Sequence, residues 1–553
     1  MPNSSLDREN IKNLLVELVR QPSISNTEQE ITMGNKVKNI LKDISYFKEN
    51  PDKLFIEPLK NDPLNRNFIA ALLESDDSSN KTVILMGHYD VVEVDDYGND
   101  KDLAFRPLEL TDKIINEDYD YLPELVKKDI IDGDYLFGRG VSDMKGGQAV
   151  QISILKYYAE NLDELPGNIL FLSVPDEETS SRGAINSVPF LNKLKRTKNL
   201  DYQVIIDSEP MVPKHPQDEK KYIYTGSAGK SVVFFYIEGI ETHATNLFDG
   251  LNSNLIASKI VSSLEGNMNF KEQIGSELIT APPSCLKLRD EKKLYSAQTP
   301  KKTITYFNMP VLTVTPKETI HKLIELAQES FQEVIAKFEE SRNEFYKLNN
   351  TEFTPLDMEP KVITYKELYK SAYSNEGEKL EEKIREVFDN NKDELQQQDL
   401  ALKIVDEVDY YADIEGPKIV IGFLPPYYPS ILNENKTEKD KKLNKIVNKL
   451  IKRYNDKYDG NMKLSKSFLG ISDLSYYKLM DYENVKEYLR PNMPDWGLDY
   501  ELPLDEINEL NIPVMNLGVY GKDSHKHYER LEQNFSFEIL PFLLKDAITN
   551  FLD

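Results

Sequence analysis

Short runs of hydrophobic residues alternate along the chain with segments of helical periodicity. The runs are NFIAALLE (67–74), KTVILMG (81–87), NILFLSV (168–174), YQVII (202–206) and, near the end of the sequence, IPVMNLGVY (512–520). Strands that are apolar on both faces are typical of a parallel sheet covered by helices. Residues 143–162 have the spacing of a helix between the second and third runs. The pattern predicts an α/β fold, with a mostly parallel, twisted sheet flanked by helices.

The character of the chain changes at about residue 226. Strand-like SVVFFYIEGI (231–240) and KTITYFNMPVL (302–312) precede a long charged helix from Pro316 to about Asn349, and residues 350–414 are densely charged with helical spacing. Strand-like sequence resumes at PKIVIGFLPPYYPS (417–430). We therefore predict a discontinuous catalytic domain, residues 1–225 and 415–553, with an inserted α+β lid domain and helical extension at residues 226–414.

Composition narrows the possible partners. The 553 residues include 68 basic and 94 acidic residues, and the net charge of -26 argues against nucleic acid or an anionic membrane as the main partner. The single cysteine, Cys285, excludes an internal disulfide and a multi-thiolate metal site. The start of the sequence does not resemble a signal peptide, and no window approaches 18 uninterrupted apolar residues. These observations predict a cytoplasmic protein.

Polar residues with catalytic potential follow the apolar runs, at the strand ends where ligands gather in open α/β sheets. They are His88 and Asp90 after the second run, Asp176, Glu177 and Glu178 after the third, Asp207 and Glu209 after the fourth, and His525 after the last. Asp143 lies at the start of the predicted helix, within the glycine-rich segment YLFGRGVSDMKGG. We expect these side chains to converge at one edge of the sheet.

Such a cluster of imidazoles and carboxylates is costly to bury unless a cation compensates it. Histidine and carboxylate ligands without thiolate suit zinc, cobalt or manganese in a hydrolytic site. Adjacent side chains on a regular strand point to opposite faces, so Glu177 and Glu178 are expected in a loop. One of the two can then bind metal while the other acts as a base.

These segments resemble the co-catalytic di-zinc metallopeptidases that include carboxypeptidase G, aminoacylase, the acetylornithine and succinyl-diaminopimelate deacylases and tripeptidase T. The shared pattern is His-x-Asp, Gly-Arg-Gly-x-x-Asp-x-Lys-Gly-Gly, Glu-Glu-x-x-x-x-Gly-Ala, a carboxylate before Pro, and His-x-x-x-Glu, matched here in order. The segments GIETHA, LPPYYPS, GISDLSYY and GKDSHKHYER are most similar to the RocB-type branch, named for arginine utilisation. The resemblance implies a zinc-exopeptidase-like fold with a lid.

The resemblance also implies a set of metal ligands. Asp143 would bridge two divalent metal ions, most commonly zinc, with His88 on the first, and with Glu178 and His525 on the second. The remaining ligand of the first ion would be Glu209, with Asp207 as the alternative. His527 is the rival of His525, which is favoured because Glu529 follows it by four residues.

The remaining roles come from the same resemblance. Glu177 would be the general base, and Asp90 would orient the imidazole of His88. In the lid, the motif GIETHATNLFDGLNSN implies that His243 stabilises the tetrahedral oxyanion, often from the partner subunit of a dimer, with help from Asn254. A homodimer formed through the lid domain is therefore expected.

The predicted function is hydrolysis of an amide bond in a small peptide or N-acyl amino acid, within amino-acid or arginine catabolism. One alternative is a catalytically inactive protein that binds an amino acid or dipeptide, although such a protein has no need of Glu177. Another is a metal-dependent phosphoesterase, which would require more basic residues near the strand ends than Lys145 and Lys522.

Overall fold

The computed structural model describes residues 5–75, 79–116, 121–211, 213, 215, 218–275, 278–356 and 358–553. The chain divides into two compact units. Unit 1 consists of Met1–Ser227, Ile431–Leu479 and Asp505–Asp553, and unit 2 of Ala228–Ser430 and Met480–Leu504. The first division lies next to the predicted boundary at 225/226, whereas the residues directly after the predicted boundary at 414/415 belong to unit 2.

The strands are β1 Leu54–Pro58, β2 Asn67–Leu73, β3 Lys81–His88, β4 Tyr135–Phe137, β5 Asn168–Val174, β6 Asp201–Asp207, β7 Lys221–Tyr224, β8 Gly229–Glu238, β9 Gln273–Ile274, β10 Leu278–Ile279, β11 Ser284–Asp290, β12 Lys302–Val311, β13 Lys361–Thr364, β14 Lys418–Tyr428, β15 Met462–Ser465, β16 Val514–Asn516, β17 Gly521–Lys522 and β18 Arg530–Glu532.

The helices are α1 Arg8–Val19, α2 Glu28–Lys42, α3 Ser45–Glu49, α4 Pro107–Ile115, α5 Glu124–Asp132, α6 Lys145–Glu160, α7 Arg182–Thr197, α8 Ser253–Leu264, α9 Pro316–Leu348, α10 Tyr365–Glu376, α11 Lys379–Asn391, α12 Gln397–Tyr411, α13 Glu438–Tyr458, α14 Tyr482–Asn484, α15 Leu504–Leu510 and α16 Leu540–Leu552. None of those in the described ranges combines the length and the hydropathy needed to span a bilayer.

Unit 1 is built on an eight-stranded sheet in the order β1-β2-β5-β3-β6-β16-β7-β15. At its centre β3 pairs in parallel with both β5 and β6, and β6 pairs in parallel with β16. The register places His88 of β3 opposite Val174 of β5, and Met86 opposite Asp207 of β6. The segments that follow these three strands therefore begin at one edge of the sheet, where the candidate residues lie.

The predicted α/β class is confirmed, but two strands differ from the expected pattern. NFIAALLE forms β2, which is antiparallel to both β1 and β5. The short connection between β1 and β2 permits only an antiparallel pair, and a strand buried on both faces has the same apolar pattern in either direction. In the last run only residues 514–516 form a strand.

Helices cover the sheet of unit 1 and enclose its main core. Residues of α1, α2, α6, α13 and α16 form one continuous buried cluster with β2, β3, β5 and β6, which includes Leu18, Leu85, Ile152, Val447 and Leu544. Each such side chain contributes about 2 kcal/mol through removal of apolar surface from water. The cluster supports the sheet whose edge carries the candidate residues.

Unit 2 contains a five-stranded sheet in the order β11-β12-β8-β14-β13. β8 is antiparallel to β12 and β14, and β13 is parallel to β14. The predicted strand at 417–430 is thus part of this second sheet, because a run buried on both faces does not specify which sheet it joins. Val232, Phe234 and Tyr236 of β8 pack with α10, α11 and α12, which form the charged region 350–414.

Candidate metal centre

His88 is the last residue of β3, and its imidazole is buried. Nδ1 lies 3.0 Å from the main-chain oxygen of Asp90. Because a carbonyl only accepts hydrogen bonds, Nδ1 carries the proton and the lone pair of Nε2 remains available for a metal ion. Nε2 is 3.4 Å from Asp143 Oδ1 and 3.3 Å from Glu209 Oε1, yet it has no hydrogen bond in the described part of the chain.

Asp143 connects this imidazole to a second one. Its other oxygen, Oδ2, lies 3.2 Å from Nε2 of His525, which is also 3.1 Å from Glu178 Oε2. Hydrogen bonds to Asp143 and Glu178 raise the pKa of His525 to about 11. Burial alone would raise the pKa of Asp143, but His525 and His88 outweigh it and hold that pKa well below its usual range.

Burial disfavours the charged form of the carboxyl groups at this centre. It raises the pKa of Glu177 well above the usual value, and the charges of Glu209 and Glu178 raise it further. The pKa of Glu209 is raised in the same way, by burial and by Asp143. Burial lowers the pKa of His88, but Glu209 and Asp143 outweigh burial and hold it well above the usual value.

The donor set fits divalent metal ions. His88, Asp143 and Glu178 form one group, and His88, Glu177 and Glu209 form another, in each of which the ligand atoms all lie within 4.8 Å of one another. A buried imidazole nitrogen without a hydrogen-bond partner in the described chain, among carboxylate oxygens, is a donor set that suits zinc and similar metals. The geometry brings all five predicted metal ligands together.

Asp90 holds the loop that carries the paired glutamates. Its carboxylate accepts hydrogen bonds from the amides of Glu177 at 3.1 Å and Glu178 at 3.2 Å, and from the hydroxyl of Ser25 at 2.7 Å. Oδ1 is 3.5 Å from Nδ1 of His88, so the main-chain oxygen is the closer partner of that imidazole. Asp90 therefore contacts both His88 and the turn at 177–178.

Asp207 and Glu209 have different contacts in the structure. Asp207 accepts hydrogen bonds from the amide of Ser208 at 2.8 Å and the hydroxyl of Ser472 at 3.1 Å, whereas Glu209 faces His88. Helix α6 packs so closely against this segment that a Cβ at Gly147 would lie only 2.2 Å from the carbonyl oxygen of Ser208. Glycine at this position permits the close approach.

The two candidate histidines near the end of the chain also separate. His527 stacks on Tyr97, with ring centroids 5.0 Å apart, and its Nε2 is 3.7 Å from Asp100. His525 has a positive φ of 63°, a rare conformation for a residue other than glycine. His525 is the one of the two that reaches Asp143.

Glu529 has a contact role that its spacing did not reveal. Its Oε1 accepts hydrogen bonds from the amides of Ser142 and Asp143, both at 3.2 Å. Its Oε2 accepts a hydrogen bond from Arg139 Nη1 at 2.8 Å. Glu529 therefore fixes the turn before α6 that presents Asp143.

The lid residues lie in unit 2. His243 is exposed, and its Nδ1 is 2.7 Å from the hydroxyl of Thr245. Asn254 accepts a hydrogen bond from Thr303 at 2.7 Å. The roles of His243 and Asn254 in the reaction stay predictions.

Known proteins resemble the chain over almost all of its length. It is 36% identical over 540 residues to an uncharacterized protein, YqjN, of Bacillus subtilis, covering 98% of this chain and 96% of that one. It is 32% identical over 544 residues to protein RocB of the same organism, covering 98% and 95%.

Solved structures share the fold at low sequence identity. A tripeptidase from Staphylococcus aureus matches with a TM-score of 0.53 and 14% identity, covering 99% of each chain. An M20 family metallo-carboxypeptidase from Sulfolobus solfataricus also matches with a TM-score of 0.53, at 13% identity, covering 98% of this chain and 99% of that one.

The family model for peptidases M20/M25/M40 matches residues 84–492, a range that includes most of the metal centre. The resemblance drawn from the motifs, including that to the RocB-type branch, is confirmed. The chain therefore belongs to the peptidase family M20/M25/M40 and is a metallopeptidase of that family.

Proposed function

We propose that this metallopeptidase hydrolyses an amide bond in a small peptide or an N-acyl amino acid, with two divalent metal ions at the metal centre. The observation that supports this most directly is the position of Asp143, whose two oxygens lie 3.4 Å and 3.2 Å from the Nε2 atoms of two different histidines. A carboxylate in that position suits a bridging ligand.

The proposed ligands divide into two sets. His88 and Glu209 would hold one ion, Glu178 and His525 would hold the other, and Asp143 would bind both. Zinc is the proposed metal, with cobalt or manganese as alternatives, because the donors are imidazole and carboxylate. When bound, the ions would act as Lewis acids towards the scissile carbonyl and the attacking water.

The protein's own groups would move the proton. Glu177 would accept a proton from the attacking water and return it to the nitrogen of the leaving amine. Asp90 positions Glu177 by accepting its amide hydrogen bond at 3.1 Å. Nothing in the described ranges favours a non-catalytic binding protein, and a general base such as Glu177 has no role in a protein that only binds.

Metal content tests the ligand assignment. Elemental analysis of the purified protein should find zinc, and His525→Ala should lose metal because it removes a ligand beside Asp143 and Glu178. His527→Ala is the matched control, since it removes an imidazole two residues away that stacks on Tyr97. Equal metal content in the two variants would contradict the assignment.

Hydrolysis assays test the substrate class. Dipeptides and N-acetyl amino acids should be compared with and without a chelator, and activity should be lost on chelation and return with zinc. An arginine-derived substrate is the finer proposal, which comes from the resemblance of the motifs to the RocB-type branch named for arginine utilisation. Arginine compounds should then be cleaved better than their lysine and alanine counterparts, and equal rates would remove that proposal.

We also propose that the protein is a homodimer formed through unit 2. β11 is an outer strand of its sheet and exposes two leucines, Leu286 at 56% and Leu288 at 48%. An exposed apolar outer strand is a surface for association with a second copy. Light scattering should show a dimer that Leu286→Lys converts to monomer, whereas Leu348→Lys, at an exposed leucine of α9, should remain dimeric.

A further inference from the structure

We propose that Arg66 is a positioning residue for the reaction, which holds the turn carrying Glu177 and Glu178 in its working geometry. The proposal rests on the proposed role of Glu177 as the base. Neither the motifs nor the family resemblance assigns a role to Arg66, which lies just before β2 and far from the other candidate residues in sequence.

Arg66 is completely buried, and its guanidinium contacts three carboxylates. Nη1 donates to Glu30 Oε2 at 2.7 Å and to Asp176 Oδ1 at 2.9 Å. Nη2 donates to Asp62 Oδ1 at 2.6 Å, and Nε donates to both oxygens of Asp62 at 3.1 Å. A planar guanidinium can reach several carboxylates in fixed directions, which a lysine ammonium cannot reproduce.

Asp176 is the residue around which the glutamate turn is built. Its main-chain oxygen accepts hydrogen bonds from the amides of Ser180 at 3.1 Å and Ser181 at 2.6 Å. Its φ is 71°, in the left-handed region that residues other than glycine rarely adopt. Such a conformation persists when the surrounding contacts determine it, and here Arg66 binds the side chain of Asp176.

Glu30 completes the attachment. Its Oε1 accepts a hydrogen bond from the amide of Asp176 at 3.0 Å, while its Oε2 accepts one from Arg66. The amide of Asp176 is therefore bound by Glu30, and its carboxylate is bound by Arg66. The next two amides, of Glu177 and Glu178, donate hydrogen bonds to the carboxylate of Asp90. The turn is held from two sides, and loss of Arg66 would remove the cation that joins the carboxylates of Asp176 and Glu30 on one of them.

The test uses Arg66→Lys, which keeps a positive charge but removes the fork of donors. We expect kcat to fall by about 10- to 100-fold, as for other residues that orient catalytic groups, with KM little changed. Arg342→Lys is the matched control, because Arg342 is a buried arginine of unit 2 that donates to main-chain oxygens. Its kcat should stay at the wild-type value.

Hydrogen exchange gives a readout that does not depend on activity. In Arg66→Lys the amides of residues 176–181 should exchange faster than in the wild type, while those of β5 should be unchanged. Unchanged exchange in the turn, or a kcat loss no larger than the loss of folded protein, would overturn the proposal. If the wild type cleaves none of the compounds tested, the proposed function fails, and the exchange comparison still decides the role of Arg66.

Discussion

Glu177→Gln separates catalysis from metal binding at this centre. Glutamine has nearly the same shape as glutamate and keeps the amide hydrogen bond to Asp90, so the turn should be unchanged. The change removes the carboxylate that would accept the proton of the attacking water. A side-chain amide has no comparable basicity, and no other group is proposed for this step.

The expected loss follows from the role assigned to the residue. General base catalysis contributes about 10²- to 10⁴-fold, which corresponds to about 3 to 5.5 kcal/mol in the activation free energy. The metal content should equal that of the wild type, because Glu177 is not among the proposed ligands. Its Oε2 is 3.9 Å from Nε2 of His88, farther than the nearest oxygens of Asp143 and Glu209.

The assay measures kcat on a confirmed substrate together with metal per chain. Glu178→Gln is the matched control, since it alters the neighbouring carboxylate that lies 3.1 Å from His525 and should lose metal. Near-normal turnover in Glu177→Gln would refute its role as base. Loss of metal in the same variant would instead make Glu177 a ligand, as its position in a group with His88 and Glu209 allows.

Three further predictions follow from individual contacts. Glu209→Gln should lose metal, whereas Asp207→Asn should keep it, because Asp207 is occupied by hydrogen bonds to its neighbours; elemental analysis checks this. Gly147→Ala should lower the free energy of unfolding by about 1–3 kcal/mol in denaturant titrations, because its Cβ would lie 2.2 Å from a carbonyl oxygen. Burial would raise the pKa of Asp409, but Lys302 and Lys418 outweigh burial and lower that pKa in the folded protein. The ion pairs therefore stabilise the folded state above the ordinary carboxyl pKa of about 4, and this stabilisation is lost as the pH falls through the lower folded value. Thermal unfolding of Asp409→Asn should therefore depend less on pH in this range than that of the wild type.

The sequence predicted those parts of the fold that depend on local periodicity. The helix expected at 143–162 is α6, and the charged helix expected from Pro316 is α9. Strand direction and sheet membership were not predictable, because burial on both faces produces the same apolar run in β2, β3 and β14. These properties depend on pairing with distant strands, which a single sequence does not record.

The candidate residues could be predicted from the sequence where they lie at the ends of buried strands. The residues directly after β3, β5 and β6 were identified because a polar group following a buried strand is conspicuous. The supporting residues were not, since Glu30 and Arg66 are separated by 36 positions and meet Asp176 only in the folded chain. Their burial gives no signal in a sequence that contains 68 basic and 94 acidic residues.

The adjacency of Glu177 and Glu178 has a physical explanation in Asp90. Successive main-chain amides can converge on one anion, and here both point to a single carboxylate. With their amides fixed together, the two side chains diverge, Glu178 towards His525 and Glu177 towards His88. An inserted residue would move one amide away from Asp90 and release one of the two side chains. Two acids that repel each other are therefore neighbours because one carboxylate orients both.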